Sequence, residues 1–120
     1  MAGCMARHYP FPMQEKTLAL PSGREVTVLN LIVTRRGAPS NSVVSIQYHT
    51  DVPADNVAAR RAEAAEVAAS YQEWADTRGY TVIRSEICNT QAAAATHEGP
   101  EAIFRFARGA DGRWMASDEP

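Results

Sequence analysis

Cys88, His97 and Glu98 are the nearest the sequence comes to a nucleophile with a base and a carboxylate. A thiol attacks well only as thiolate, so it needs an imidazole or a cationic neighbour to take its proton. A cysteine closing a strand is more often a small buried hydrophobe, and Cys88 is read that way. His49 and Asp51 form a second arrangement, since a carboxylate can orient an imidazole as general base. They sit at a strand end beside a helix start, where a surface His next to an acidic residue is the plainer account. Glu86 alternates with Arg84 along one strand face, a pattern that favours a solvated charge pair. If the protein is a small enzyme, His49, Glu86, Cys88 and His97 are the polar residues expected to line a pocket between the sheet and the 89–100 loop. No catalytic residue is assigned.

Other chemistries have less support. The three histidines, His8, His49 and His97, never stand at i, i+4, and Cys4 and Cys88 are far apart in sequence, so no metal ligand set is expected. No cofactor is expected either, because the glycines are scattered singly and build no phosphate-cradling loop. The basic doublets Arg35-Arg36 and Arg60-Arg61 lack aromatic neighbours for base stacking. With a net charge of -2 there is no steering field toward nucleic acid, and none is expected as a partner.

The elements that would position these residues follow from pattern. Pro10 and Pro12 forbid a helix around Phe11, so residues 1–14 read as an extended arm. Lys16 to Leu20 is a short strand meeting the turn Pro21-Ser22-Gly23. Glu25 to Arg35 is the strongest strand, rich in Val, Ile and Thr with apolar residues at both parities. Val43 to His49 alternates, with Val44, Ile46 and Tyr48 opposite Ser45, Gln47 and His49. Residues Ala54 to Arg78 form one helix without Gly or Pro, stopped by Gly79. Its apolar stripe holds Val57, Ala64, Val67, Ala68, Tyr71, Trp74 and Ala75, with Glu63, Glu66, Glu73 and Thr77 opposite. Tyr80 to Cys88 and Glu101 to Arg108 are further strands, and Gly109 to Gly112 turns the chain toward Arg113-Trp114-Met115. Residues 117–120 are expected to fray. The segment after Asn89 reads as a loop, since its alanine run is too short for an independent helix.

The resulting fold is α+β: an antiparallel sheet of five or six strands, in the order β-β-β-α-β-β with a final short strand, and one long helix on one face. Residues 15–116 make one domain, as 120 residues allow. If Val28 and Ile32 face the helix, then Leu29, Leu31 and Val33 face away from it and must be covered by the arm, by the alanine-rich loop or by a second copy of the chain. That face makes a non-enzymatic binding or interaction protein the first expectation, with self-association or an unknown protein as partner.

Composition adds compartment. Of the 12 basic residues, eleven are Arg, and alanine numbers 21, a bias that looks like GC-rich bacterial coding. No apolar run approaches the roughly 20 residues of a membrane span, so no membrane insertion is expected and the chain reads as a soluble, cytoplasmic protein. Met1-Ala2-Gly3-Cys4 resembles the end of a bacterial lipoprotein signal, in which the Cys carries lipid. On that alternative an upstream signal would make this a periplasmic, lipid-anchored protein. Two cysteines are too few for a disulfide framework, and a single Cys4–Cys88 bridge is left open but not needed.

Overall fold

A computed structural model describes residues 16–38, 41–89 and 100–117. The expected arm, residues 118–120, Cys4, His8 and His97 lie outside the described residues. In chain order the elements are β1 (Lys16–Ala19), β2 (Glu25–Thr34), β3 (Val43–His49), α1 (Val57–Arg78), β4 (Val82–Ile87), β5 (Ala102–Arg108) and β6 (Trp114–Ser117). They form one six-stranded sheet in sequential order, β1-β2-β3-β4-β5-β6, with the helix packed on it. The fold class is α+β. Every neighbouring pair is antiparallel except β3 and β4, which run parallel. The helix explains the exception, because parallel neighbours need a long crossover and α1 supplies it.

Local chemistry sets the boundaries. Asn56, rather than an acidic residue, caps the helix: its side-chain oxygen accepts from the Ala59 N–H at 3.2 Å. At the other end Gly79 adopts φ 77°, and its N–H reaches the carbonyls of Ala75 and Asp76. A side chain there would be strained, which is why the helix stops at this residue. Pro21 to Gly23 turns β1 into β2, with Leu20 N–H donating to the Arg24 carbonyl at 2.8 Å.

Ser85 donates its hydroxyl to the Ala64 carbonyl at 2.9 Å, which fixes the face of β4 that carries the helix. By strand register, Val44, Ile46 and Tyr48 of β3 share that face with Ile83, Ser85 and Ile87. Ala64, Val67, Ala68 and Ala75 close on it, with small side chains that let the helix approach. Tyr71 and Trp74 are half-buried at the margin. Six strands at about 4.8 Å span roughly 24 Å, whereas one helix is only about 10 Å wide. The two aromatics, set edge to face at 6.5 Å, pack against the core and widen the roof.

Two expectations about facing change. Residue 29 is the extra residue of a β-bulge, since Val28 pairs with Tyr48 but Asn30 pairs with Gln47. The bulge reverses the parity of the rest of β2, so Leu31 and Val33 pack on the helix side with the core, and Asn30 and Ile32 face away. Along the helix, Glu63 is 2% exposed and Arg60 5%, whereas Val57 is 53% exposed. The roof over β3 is therefore partly ionic, and Val57 lies in the first turn beyond it.

Candidate functional site

On the sheet face away from the helix, register aligns side chains in lateral rows. The central row is Asn30, Gln47, Glu86 and Ile103. Next to it runs Ile32, Ser45, Arg84, Arg105 and Ser117, and beyond that Thr34, Val43, Val82, Ala107 and Met115. The bulge at Leu29 is what brings Asn30 into the central row.

Three members of that row are buried, with Gln47 at 0%, Glu86 at 1% and Asn30 at 7% exposure. Gln47 donates from Nε2 to Glu86 Oε1 at 3.0 Å and accepts at Oε1 from Asn30 Nδ2 at 3.3 Å. The direction is forced: a carboxylate only accepts, so Gln47 must offer its amide nitrogen to Glu86, and its oxygen is left for Asn30. Arg84 Nε stands 3.4 Å from the second Glu86 oxygen, near enough for charge attraction without hydrogen-bond geometry. Asn30 and Gln47 make further interactions besides these. Both Glu86 oxygens therefore face protein groups, which leaves the carboxylate with little freedom to act as acid or base.

His49 and Cys88 continue the same face one step past the Tyr48–Ile87 pair. The structure thus gathers His49, Glu86 and Cys88 on one side of the sheet. Their chemistry is nonetheless spoken for. Cys88 is disulfide-bonded and 3% exposed, so it offers no thiolate. His49 Nε2 is 3.4 Å from Asp51 Oδ1, in a pair whose acid is 91% exposed and strongly screened by solvent.

A second polar cluster lies on the helix side, near the start of α1. Glu63 accepts from Thr50 Oγ1 through a short hydrogen bond and from Arg24 Nε at 2.9 Å. Arg60 donates from Nε to the Val52 carbonyl at 3.0 Å and from Nη1 to Glu101 at 3.0 Å, tying the helix to the residue just before β5. Beneath them the hydroxyl of fully buried Tyr48 has no hydrogen-bond partner among the described residues. Burial first, then the Glu63 charge, push that phenol well above its ordinary range, against an opposing pull from Arg60. The cluster ties β3, α1 and the turn before β2 together. Burying Glu63 without Arg24 and Thr50 would leave an uncompensated charge.

Sequence reasoning missed Asn30, Gln47 and Glu63. One signal was present, an Asn at 30 among the aliphatic residues 28 to 33; by periodicity Glu63 falls opposite the stripe, and its partners Thr50 and Arg24 come from other segments.

Exposed apolar groups mark the rim of the sheet. Ile103 is 40% and Met115 64% exposed, both on the face away from the helix, with Arg105 between their rows. Arg105 Nη1 donates to Ser117 Oγ at 2.8 Å. Among the described residues no three His, Cys, Asp or Glu side chains stand together to hold a metal, and no helix is long and apolar enough to cross a membrane. Compared with known proteins, the chain matches no family model, no curated protein and no solved structure.

Proposed function

We propose that this is a small non-enzymatic interaction protein whose contact surface lies on the β5–β6 rim of the sheet face away from the helix. The carrying observation is the exposed apolar pair, Ile103 and Met115, set around Arg105. Apolar side chains flanking an arginine are the composition that interface cores favour. Supporting it, Cys88 is bonded and Glu86 is enclosed by Gln47 and Arg84, so the residue types that first suggested catalysis have structural work.

The compartment reading also shifts. A disulfide persists in oxidising surroundings and is rare where thiols are kept reduced, which favours a location outside the reducing cytosol. The chain holds one cysteine besides Cys88. A Cys4 sulfur bonded within the chain cannot also carry a lipid thioether, so an intramolecular bridge and the lipid-anchored alternative exclude each other.

Purified wild type, Met115→Asp and Val57→Asp compare the rim with an exposed apolar residue elsewhere. The reading expects one partner, reconstituted from pure components, to bind wild type and Val57→Asp and to lose at least tenfold in affinity, about 1.4 kcal/mol, with Met115→Asp. Equal binding by all three, or turnover of a metabolite that Glu86→Gln abolishes, would refute it.

A further inference from the structure

β6 is an edge strand with only β5 beside it among the described strands, and the register fixes which way its backbone groups point. Arg108 N–H donates to the Thr81 carbonyl at 2.9 Å, on the β4 side, so its neighbour Ala107 turns its own N–H and C=O toward β6. Gly109 N–H meets the Arg113 carbonyl at 2.7 Å, which gives the same phase. Met115, the partner of Ala107, therefore points its backbone groups inward. Trp114 and Ala116 point theirs outward, where no described strand meets them. Between the two, the Met115 side chain is 64% exposed on the face away from the helix. The other edge, β1, carries Lys16 and no exposed large apolar side chain. We propose that β6 pairs antiparallel with β6 of a second copy of this chain, about a twofold axis at Met115.

The inference rests on the rim reading above and names the rim's partner. A joint between identical copies needs a strand that complements itself, and β6 does. With the axis at Met115, Trp114 of each copy faces Ala116 of the other, and both exchange N–H and C=O bonds with none left over. Met115 then lies opposite its own copy in a non-hydrogen-bonded pair, the arrangement that brings side chains closest, with Cα atoms about 4.5 Å apart. Arg113 falls opposite Ser117, so no like charges meet directly across the joint. An axis at Trp114 would instead set Ala116 against Gly112 of the turn and Met115 against Arg113. One at Ala116 would leave Trp114 without a β6 partner. Trp114–Ser117 also holds no charge, proline or register shift, devices that keep a sheet edge single. A joint of 4 residues per copy buries little surface, so the dimer exchanges with monomer. Because the axis stands perpendicular to the sheet, both helices stay on one side and the two polar lanes share one continuous face on the other.

Sedimentation of the full chain over a rising concentration series, joined to half-filtered NMR on a mixture of isotope-labelled and unlabelled protein, tests the joint. The expected result is a monomer–dimer equilibrium with intermolecular contacts between the Met115 methyls of the two copies. Met115→Asp sets two carboxylates face to face, and Ala116→Pro deletes an outward N–H while sparing the ladder to β5. Each should weaken dimerisation at least about tenfold. Val57→Asp should leave it unchanged. Thermal unfolding checks that each variant folds, and the intermolecular contacts of the wild type decide the matter where one does not. A chain that stays monomeric into the millimolar range overturns the second copy as partner, while the rim reading keeps its own test against a different protein. Intermolecular contacts at β1, or a dimer indifferent to both β6 variants, also overturn the joint. So does growth beyond a dimer, which would report β1 of one copy meeting β6 of the next.

Discussion

Tyr48 and Glu63 show how much a single buried polar atom decides in this protein. The Tyr48 hydroxyl gains nothing from a hydrogen bond, so Tyr48→Phe should leave stability at neutral pH unchanged or raise it by about 1 kcal/mol in urea denaturation. The pH dependence has a definite sign. The folded phenol is raised above its unfolded value near 10, so in alkali the unfolded chain loses the proton first. Stability is then complete below about pH 10 and falls above it. Tyr48→Phe should flatten that alkaline fall, which a urea series across the alkaline range would detect. Glu63 is the contrasting case of a buried polar group whose hydrogen bonds are made. Glu63→Ala removes the acceptor of Thr50 and Arg24, and a loss of about 2 kcal/mol is expected from the same measurement at neutral pH. A cost under about 0.5 kcal/mol would place Glu63 among ordinary surface residues.

At the level of elements, the strands and helix were largely legible because each carries a clear period and a clear stop. The Pro-Ser-Gly turn, the alternation of β3 and the glycine at 79 all act locally. The bulge at Leu29 was not legible. An apolar strand with aliphatic side chains at both parities does not reveal where one residue is skipped, and the skip appears only when β2 is paired with β3. That one residue moved Leu31 and Val33 to the core and placed Asn30 beside Gln47. Nor could pattern alone bury Glu63, whose partners Thr50 and Arg24 come from other elements. The helix start is a simpler matter of local chemistry. Asn56→Ala should cost about 1 kcal/mol, read from the urea midpoint, because the Ala59 N–H loses its acceptor. The disulfide at Cys88 acts over a longer range, and Cys88→Ser should lower stability by about 2–5 kcal/mol, seen as a fall in Tm.

Across the whole molecule, the sheet has two buried faces of different character. One is an apolar interface with a helix too narrow to cover it, widened by Tyr71 and Trp74. The other carries an ordered polar lane whose centre is hidden in a single copy of the chain, which leaves the β5–β6 rim as the exposed apolar surface of that side. Self-association through Leu31 and Val33 loses its basis, because both face the helix. The central claim is that the lane is a structural feature of the folded monomer and not a solvent-facing or catalytic patch. A double-mutant cycle over Gln47 and Glu86, read by urea denaturation of the monomer, tests it most directly. Each single alanine variant should cost about 2 kcal/mol, with a coupling of at least about 1 kcal/mol between them, because either change leaves a buried polar partner unmet. Additive effects below about 0.5 kcal/mol each would mean the lane lies open to water, and would contradict the account.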